Sequence, residues 1–148
     1  MIDLWPVAAD DDYHVRALYA LLDERTPEQS ISHKRMPTME GHRLFVLGAV
    51  PDNSPVSYAA WYVIYADRCI VGSIYLTHQR EIGVSIFRDQ QRKGYARAAV
   101  LELMRLHPGK FLANINPKNE ASIKLWESLG FSLLQVTYRH EPNAASLK

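Results

Sequence analysis

An excess of one charge is nearly absent from this chain: 17 lysines and arginines face 16 aspartates and glutamates, a formal net charge of +1. That balance argues against a dedicated nucleic-acid binder, which carries a strong basic excess. Cysteine is scarce as well. Cys69 is the only one, so no intrachain disulfide can form and nothing indicates an oxidising compartment. Set in the apolar run Cys69-Ile70-Val71, it reads as an inert core thiol. No apolar run approaches the ~20 residues needed to cross a bilayer. The N-terminal stretch holds Asp3, Asp10, Asp11 and Asp12 without a basic region. It does not read as a secretory signal, and cytoplasmic residence is the default expectation. The six histidines show no His-x-x-x-His spacing, so no metal site is expected. Internal repeats, low-complexity tracts and linker-like stretches are also missing.

What is present fits one domain over 1–148, long enough to bury a core. Ile2 to Val7 reads as a strand. Asp10 is the expected N-cap of a helix to about Glu24, with Val15, Leu18, Tyr19 and Leu22 on one face. Thr26 to Pro37 reads as a loop, and Thr38 opens a second helix. After the turn cluster Pro51-Asp52-Asn53-Ser54-Pro55 come three strand-like runs, Ser57 to Ala66, Cys69 to Thr77 and Glu81 to Phe87. Asp67-Arg68 is a hairpin-like gap. A helix over Gly94 to Leu106, expected to be largely buried, is stopped by His107-Pro108-Gly109. A strand over Phe111 to Ile115, a helix to Leu129 with Gly130 just past its end, and a closing strand over Phe131 to Tyr138 complete the pattern. The order predicts a mixed α/β fold with antiparallel hairpins early and a strand–helix–strand crossover late.

The most informative stretch joins the third of those runs to the helix after it: Gln91-Arg92-Lys93-Gly94-Tyr95-Ala96. A strand, a tight polar turn with one glycine and a helix start leave a nest of backbone N–H groups with partial positive charge, which attracts phosphate. Arg92, Lys93 and Arg97 add full charges. The blander reading is a solvated basic helix start.

The spacing Gln-x-x-Gly-x-Ala after a strand resembles the pyrophosphate-binding signature of the GCN5-related N-acetyltransferases. A second segment, Asn116-Pro117-Lys118-Asn119-Glu120-Ala121-Ser122-Ile123-Lys124-Leu125-Trp126-Glu127-Ser128-Leu129-Gly130-Phe131, resembles that family's second cofactor segment. The resemblance covers roughly 58–138. It implies a central, mostly antiparallel twisted sheet with helices on both faces and strands splayed at a cofactor cleft. It also implies acetyl-CoA as cofactor and transfer to a primary amine.

The same resemblance assigns residues. Gln91, Arg92, Lys93, Gly94, Tyr95, Ala96 and Arg97 would cradle the diphosphate. Backbone N–H groups at Ser85, Ile86 and Phe87 would meet the thioester carbonyl and the pantetheine arm, with Gly83 marking a bulge. Asn119 would touch the cofactor, with helix capping as its plain alternative and Asn116 competing for the cap. Trp126 stands where many members carry a tyrosine acid. Its indole does not titrate usefully, so it would pack beside the arm or in the core. Glu81 is the expected base, with Tyr138 and His78 as alternatives, and an exposed strand-end charge is the bland reading of Glu81.

The acceptor side would be built from about Thr26 to Arg43, with Trp61, Tyr62 and Tyr75. Adjacent strand positions put Trp61 and Tyr62 on opposite faces. The basic cluster Ser32-His33-Lys34-Arg35 would receive a phosphate or stand solvated. A looser similarity to N-acetyltransferases of nucleotide-linked amino sugars points to a small-molecule amine acceptor. Neither nucleic acid nor membrane is expected as partner, and a homodimer is compatible with the pattern. The rival readings are a non-catalytic acyl-CoA sensor on the same fold, a protein-amine acetyltransferase, and a nucleic-acid binder using 90–97.

Overall fold

The structure is a computed structural model that describes residues 1–25, 36–52 and 54–142. The elements are β1 (Asp3–Pro6), α1 (Asp12–Asp23), α2 (Met39–Ala49), β2 (Ala60–Ala66), β3 (Cys69–Leu76), β4 (Ile82–Ile86), a 3₁₀ turn (Arg88–Gln90), α3 (Tyr95–Leu106) and α4 (Glu120–Ser128). The strands form one antiparallel sheet in the order β1-β2-β3-β4.

Two apolar layers sandwich that sheet. Ile64, Ile74 and Ile82 meet Ala99, Val100 and Leu103 of α3 and Trp126 of α4 on one face. Trp61 and Val63 meet Val15, Leu18 and Leu21 of α1 and Val46 of α2 on the other. The strict alternation of β2 produces this division, since successive side chains point to opposite faces. Trp61 and Tyr62 do part as expected, Trp61 to the α1/α2 layer and Tyr62 to the α3 layer.

Local chemistry sets the boundaries. Asp11, rather than Asp10, caps α1: its carboxylate accepts from the amides of Tyr13 (2.9 Å) and His14 (3.3 Å). Thr38 caps α2 through the Gly41 amide at 3.0 Å. Asp67 and Arg68 both take positive φ, 50° and 67°, which closes the β2–β3 hairpin in two residues. The bulge expected at Gly83 is instead on β3, where Val71 is the extra residue between the pairs Ile64↔Gly72 and Tyr65↔Ile70. Gly83 pairs regularly with Tyr75.

Several other expectations are corrected. Cys69 is exposed, because the first residue of β3 lies at the hairpin end beyond the core. α3 is amphipathic rather than largely buried: Ala99, Val100 and Leu103 are inside while Leu101 and Leu106 face outward. The segment 111–115 is not a strand and makes only one parallel bridge, Leu112 to Glu81. The closing strand is missing too. Residues 131–142 adopt no regular structure, and Leu133, Leu134, Val136 and Tyr138 are exposed. Strand propensity is realised only against a partner ladder, and 111–115 does not provide one. The basic cluster Ser32-His33-Lys34-Arg35, expected to receive a phosphate or stand solvated, lies outside the described residues. Among the described residues, no helix is long and apolar enough to cross a membrane, and no His/Cys/Asp/Glu group is arranged for a metal ion.

Candidate active site

β4 has one paired edge and one largely open edge. The Phe87 amide donates to Val71 O at 2.9 Å and the Thr77 amide to Glu81 O at 2.9 Å, so odd-numbered β4 positions bond to β3. Alternation turns the even-numbered positions outward. Ile82 confirms this, donating to Leu112 O at 2.8 Å. Beyond that bridge, 113–115 makes no further ladder with β4. The outward amides of Val84 and Ile86 therefore face the gap. Those of Ser85 and Phe87, expected to serve there, are turned toward β3 instead. The Gln91 side chain donates to Ile86 O at 3.2 Å, tying the following turn to the strand end.

That turn forms the nest. Arg92 and Gly94 take left-handed φ of 65° and 83°, and Gly94 stands at the N-terminal end of α3 with no side chain capping it. A Cβ on Gly94 would meet nothing within 4 Å, so the space in front of the amides is open. Within the described residues, nothing accepts from the amides of Arg92, Lys93 or Gly94. Arg92 is exposed, and Lys93 contacts Gln90 Oε1 at 3.1 Å. Arg97 reaches the end of α4, donating to Ser128 Oγ at 2.8 Å. Tyr95 and Ala96 are half-buried and seat the first turn of α3 against the sheet. An uncapped helix start, two left-handed residues flanking Lys93 and nearby cations together suit a diphosphate.

Glu81 sits where 111–115 leaves β4. Its carboxylate accepts from Thr77 Oγ1 at 3.4 Å and from the Asn114 side-chain amide. Thr77 Oγ1 in turn accepts from the Glu81 amide at 3.0 Å. Glu81 shares the β4 face of Gly83 and Ser85, which looks toward α1 and α2. The ring of Tyr75 covers Gly83 on that face. Tyr58 stacks on Tyr75 with centroids 4.3 Å apart and 15° between planes, and Trp61 meets Tyr58 edge-on at 5.0 Å. Burial pushes the Tyr58 phenol up to about 12, Tyr75 adding to the rise and the Arg25 cation opposing it. Burial likewise raises Tyr75, with Arg25 opposing and the Glu81 charge adding.

The end of α1 is fastened to the 3₁₀ turn that follows β4. Glu24 Oε1 accepts from the Arg88 amide at 2.7 Å, and the Arg88 guanidinium donates to Glu24 O at 3.1 Å.

Three assigned residues stand elsewhere. Asn119 caps α4, its Oδ1 accepting from the Ser122 amide at 3.1 Å. Asn116 does not compete for that cap, since its Oδ1 accepts from Lys118 N at 2.9 Å. Trp126 is core, 4% exposed and edge-on to Phe131 at 4.9 Å. Tyr138 is 93% exposed, and no hydrogen bond or ring contact joins it to Glu81 or β4 among the described residues. His78 is exposed and lines a cavity of ≈ 270 Å³ with Tyr58, Ser57 and Asp52. Sequence reasoning missed Val84, Thr77, Asn114 and Arg25. Ladder parity would have found Val84, but the others are brought in by tertiary contacts.

A family model described as an acetyltransferase (GNAT) domain matches residues 4–132. Similar solved structures include the microcin C7 self-immunity acetyltransferase MccE in complex with acetyl-CoA and AMP, with TM-score 0.74, 18% identity, and coverage of 95% of this chain and 84% of that one. A second is RimL, a ribosomal-protein alpha-N-acetyltransferase in complex with coenzyme A, with TM-score 0.71, 20% identity, and coverage of 90% and 81%. A third is AAC(6')-Iy with a bisubstrate analogue, with TM-score 0.69, 14% identity, and coverage of 97% and 99%. No curated protein sequence matches the chain.

Proposed function

The chain belongs to the GNAT acetyltransferase domain family, and from that premise we propose that it moves an acetyl group from acetyl-CoA to the primary amine of a small molecule. The observation that carries this reading is the uncapped turn over 91–97 beside the open edge of β4. When bound, acetyl-CoA supplies the thioester whose acyl group passes to the amine nitrogen as a C–N bond forms and the C–S bond breaks.

The residues divide the work. The amides of the nest, with Arg92 and Lys93, hold the diphosphate. The Ile86 amide receives the arm. The Val84 amide, the outward donor farther from the nest, donates to the acyl oxygen where negative charge develops. Such a fixed donor is worth on the order of 3 kcal/mol of barrier. Val84 lies three residues from Glu81, about 10 Å along the strand at ~3.3 Å per residue. Glu81, held by Thr77 and Asn114, takes through water the proton that the attacking amine must lose. The departing thiolate needs little help, since a thiol pKa of ~8.5 makes it a fair leaving group near neutrality. A dedicated acid is therefore dispensable, in keeping with a buried Trp126.

Acetyl-CoA-dependent thiol release with primary amines tests the reading. Glu81→Gln is expected to lower kcat about 10²–10⁴-fold while coenzyme A still binds. No thiol release with any amine, by a protein that binds coenzyme A, would favour a non-catalytic acyl-CoA sensor.

A further inference from the structure

Arg25 is the cation that the chemistry above leaves unused. It stands two residues past the end of α1, its amide bonded to Leu22 O at 3.1 Å. Its guanidinium reaches across to β4, where Nη2 stands 3.5 Å from Ser85 Oγ, the outer limit of a hydrogen bond. Ser85 lies two residues beyond Gly83, on the face where Tyr75 and Tyr58 stack. Several other described arginines have firm partners, while Arg68 and Arg92 are exposed. Arg16 and Arg43 pair with Asp12, Arg105 with Glu102, and Arg80 donates to two carbonyls. The carboxylate next to Arg25, Glu24, is turned the other way and engaged by the Arg88 amide. Arg25 forms no ion pair with any described residue, and it is half-buried. Among the described residues its one side-chain partner is a neutral hydroxyl, and its charge is felt at the Tyr58 and Tyr75 phenols, so this partly desolvated guanidinium has strong donors to spare.

We propose that Arg25 anchors an anionic group on the acceptor, so that the amine taken by this cleft also bears a carboxylate or a phosphate. The anion sits at the Arg25 guanidinium, the body of the acceptor lies along the Tyr75 ring, and the amine points toward Glu81. This rests on the acetyl-transfer reading and adds to it the class of acceptor. Carboxylate and phosphate present the same planar or trigonal oxygens to a guanidinium fork, and Arg serves both.

Matched acceptor pairs in which a spacer separates amine from anion test it: pentylamine against 6-aminohexanoate for the carboxylate, tyramine against O-phosphotyramine for the phosphate. Wild-type protein and Arg25→Met are compared by thiol release from acetyl-CoA, with coenzyme A affinity as the check that the variant is folded. The wild type should prefer the anionic member of at least one pair. Arg25→Met should lower kcat/KM for that member about 10- to 100-fold, chiefly through KM, and bring the anionic-to-neutral ratio toward one. Arg25→Lys should restore part of the ratio. A ratio that Arg25→Met leaves unchanged, or a wild-type preference for the neutral members, overturns the proposal. Failure of the parent reading looks different: neither member of any pair releases thiol, although coenzyme A binds.

Discussion

The ring of Tyr75 lies so close over the α-carbon of Gly83 that a Cβ on residue 83 would stand 2.1 Å from Tyr75 Cζ. Glycine at 83 thus serves close packing rather than a bulge. It lets the Tyr75–Tyr58 stack settle on β4 between Glu81 and Ser85, forming the floor of the proposed acceptor cleft.

Gly83→Ala should therefore do more than weaken a strand. The ring must move, and overpacking of this kind costs about 1–3 kcal/mol. Urea unfolding should show the loss. Acceptor KM should rise more than cofactor KM, because the displaced tyrosines lie on the acceptor side. Unchanged stability and kinetics would mean that the stack is loose.

Trp126 gives a contrasting expectation. Its indole is in the core with Phe131, α3 and the sheet. Trp126→Ala should destabilise by about 3–5 kcal/mol, measurable by denaturant titration. Trp126→Phe should keep measurable turnover. A well-folded Trp126→Phe protein that binds coenzyme A yet is inactive would assign the indole a chemical role.

Acid should weaken the fold through two histidines. Burial holds His42 below its usual pKa, partly offset by its bond to Val15 O and reinforced by Arg43; His42 Nδ1 is buried and has no partner among the described residues. Burial also lowers His107, with Arg80 adding to the effect, and its Nε2 meets Tyr62 Oη at 2.7 Å. A lowered folded pKa means that the unfolded chain takes up the proton first. The stabilisation is then complete above the unfolded value of ~6.5 and is lost as pH falls from there through the folded value. Urea midpoints should drop between pH 7.5 and pH 5, and His42→Gln should flatten that drop. A midpoint that rises on acidification would contradict the sign.

Where the code is local, the sequence was legible. The 3.6-residue spacing of α1, the Thr38 cap, the two-residue Asp67-Arg68 turn and the Gly94 helix start each depend on neighbours in the chain. So does Gly130, at φ 92° with the Phe131 amide bonded back to Trp126 O at 3.0 Å. Long-range relations were not legible. The apolar runs 111–115 and 131–138 carry strand-like composition, but composition does not say whether a partner ladder exists. Asn119 matched a ligand-binding pattern and also an N-cap, and the geometry of α4 favours the cap. Arg25 belongs to no local motif; its place beside Ser85 is a tertiary contact between residues 60 apart in the chain.

The account stands on main-chain amides at the start of α3 gripping a diphosphate, and calorimetric titration of coenzyme A into wild type and Gly94→Trp tests this most directly. A Cβ on Gly94 meets nothing within 4 Å, so a bulky side chain there is aimed at the open nest, at the cost of backbone strain from its φ of 83°. A folded Gly94→Trp protein whose affinity falls ~100-fold or more is the predicted result. Wild-type affinity in that folded variant would contradict the account.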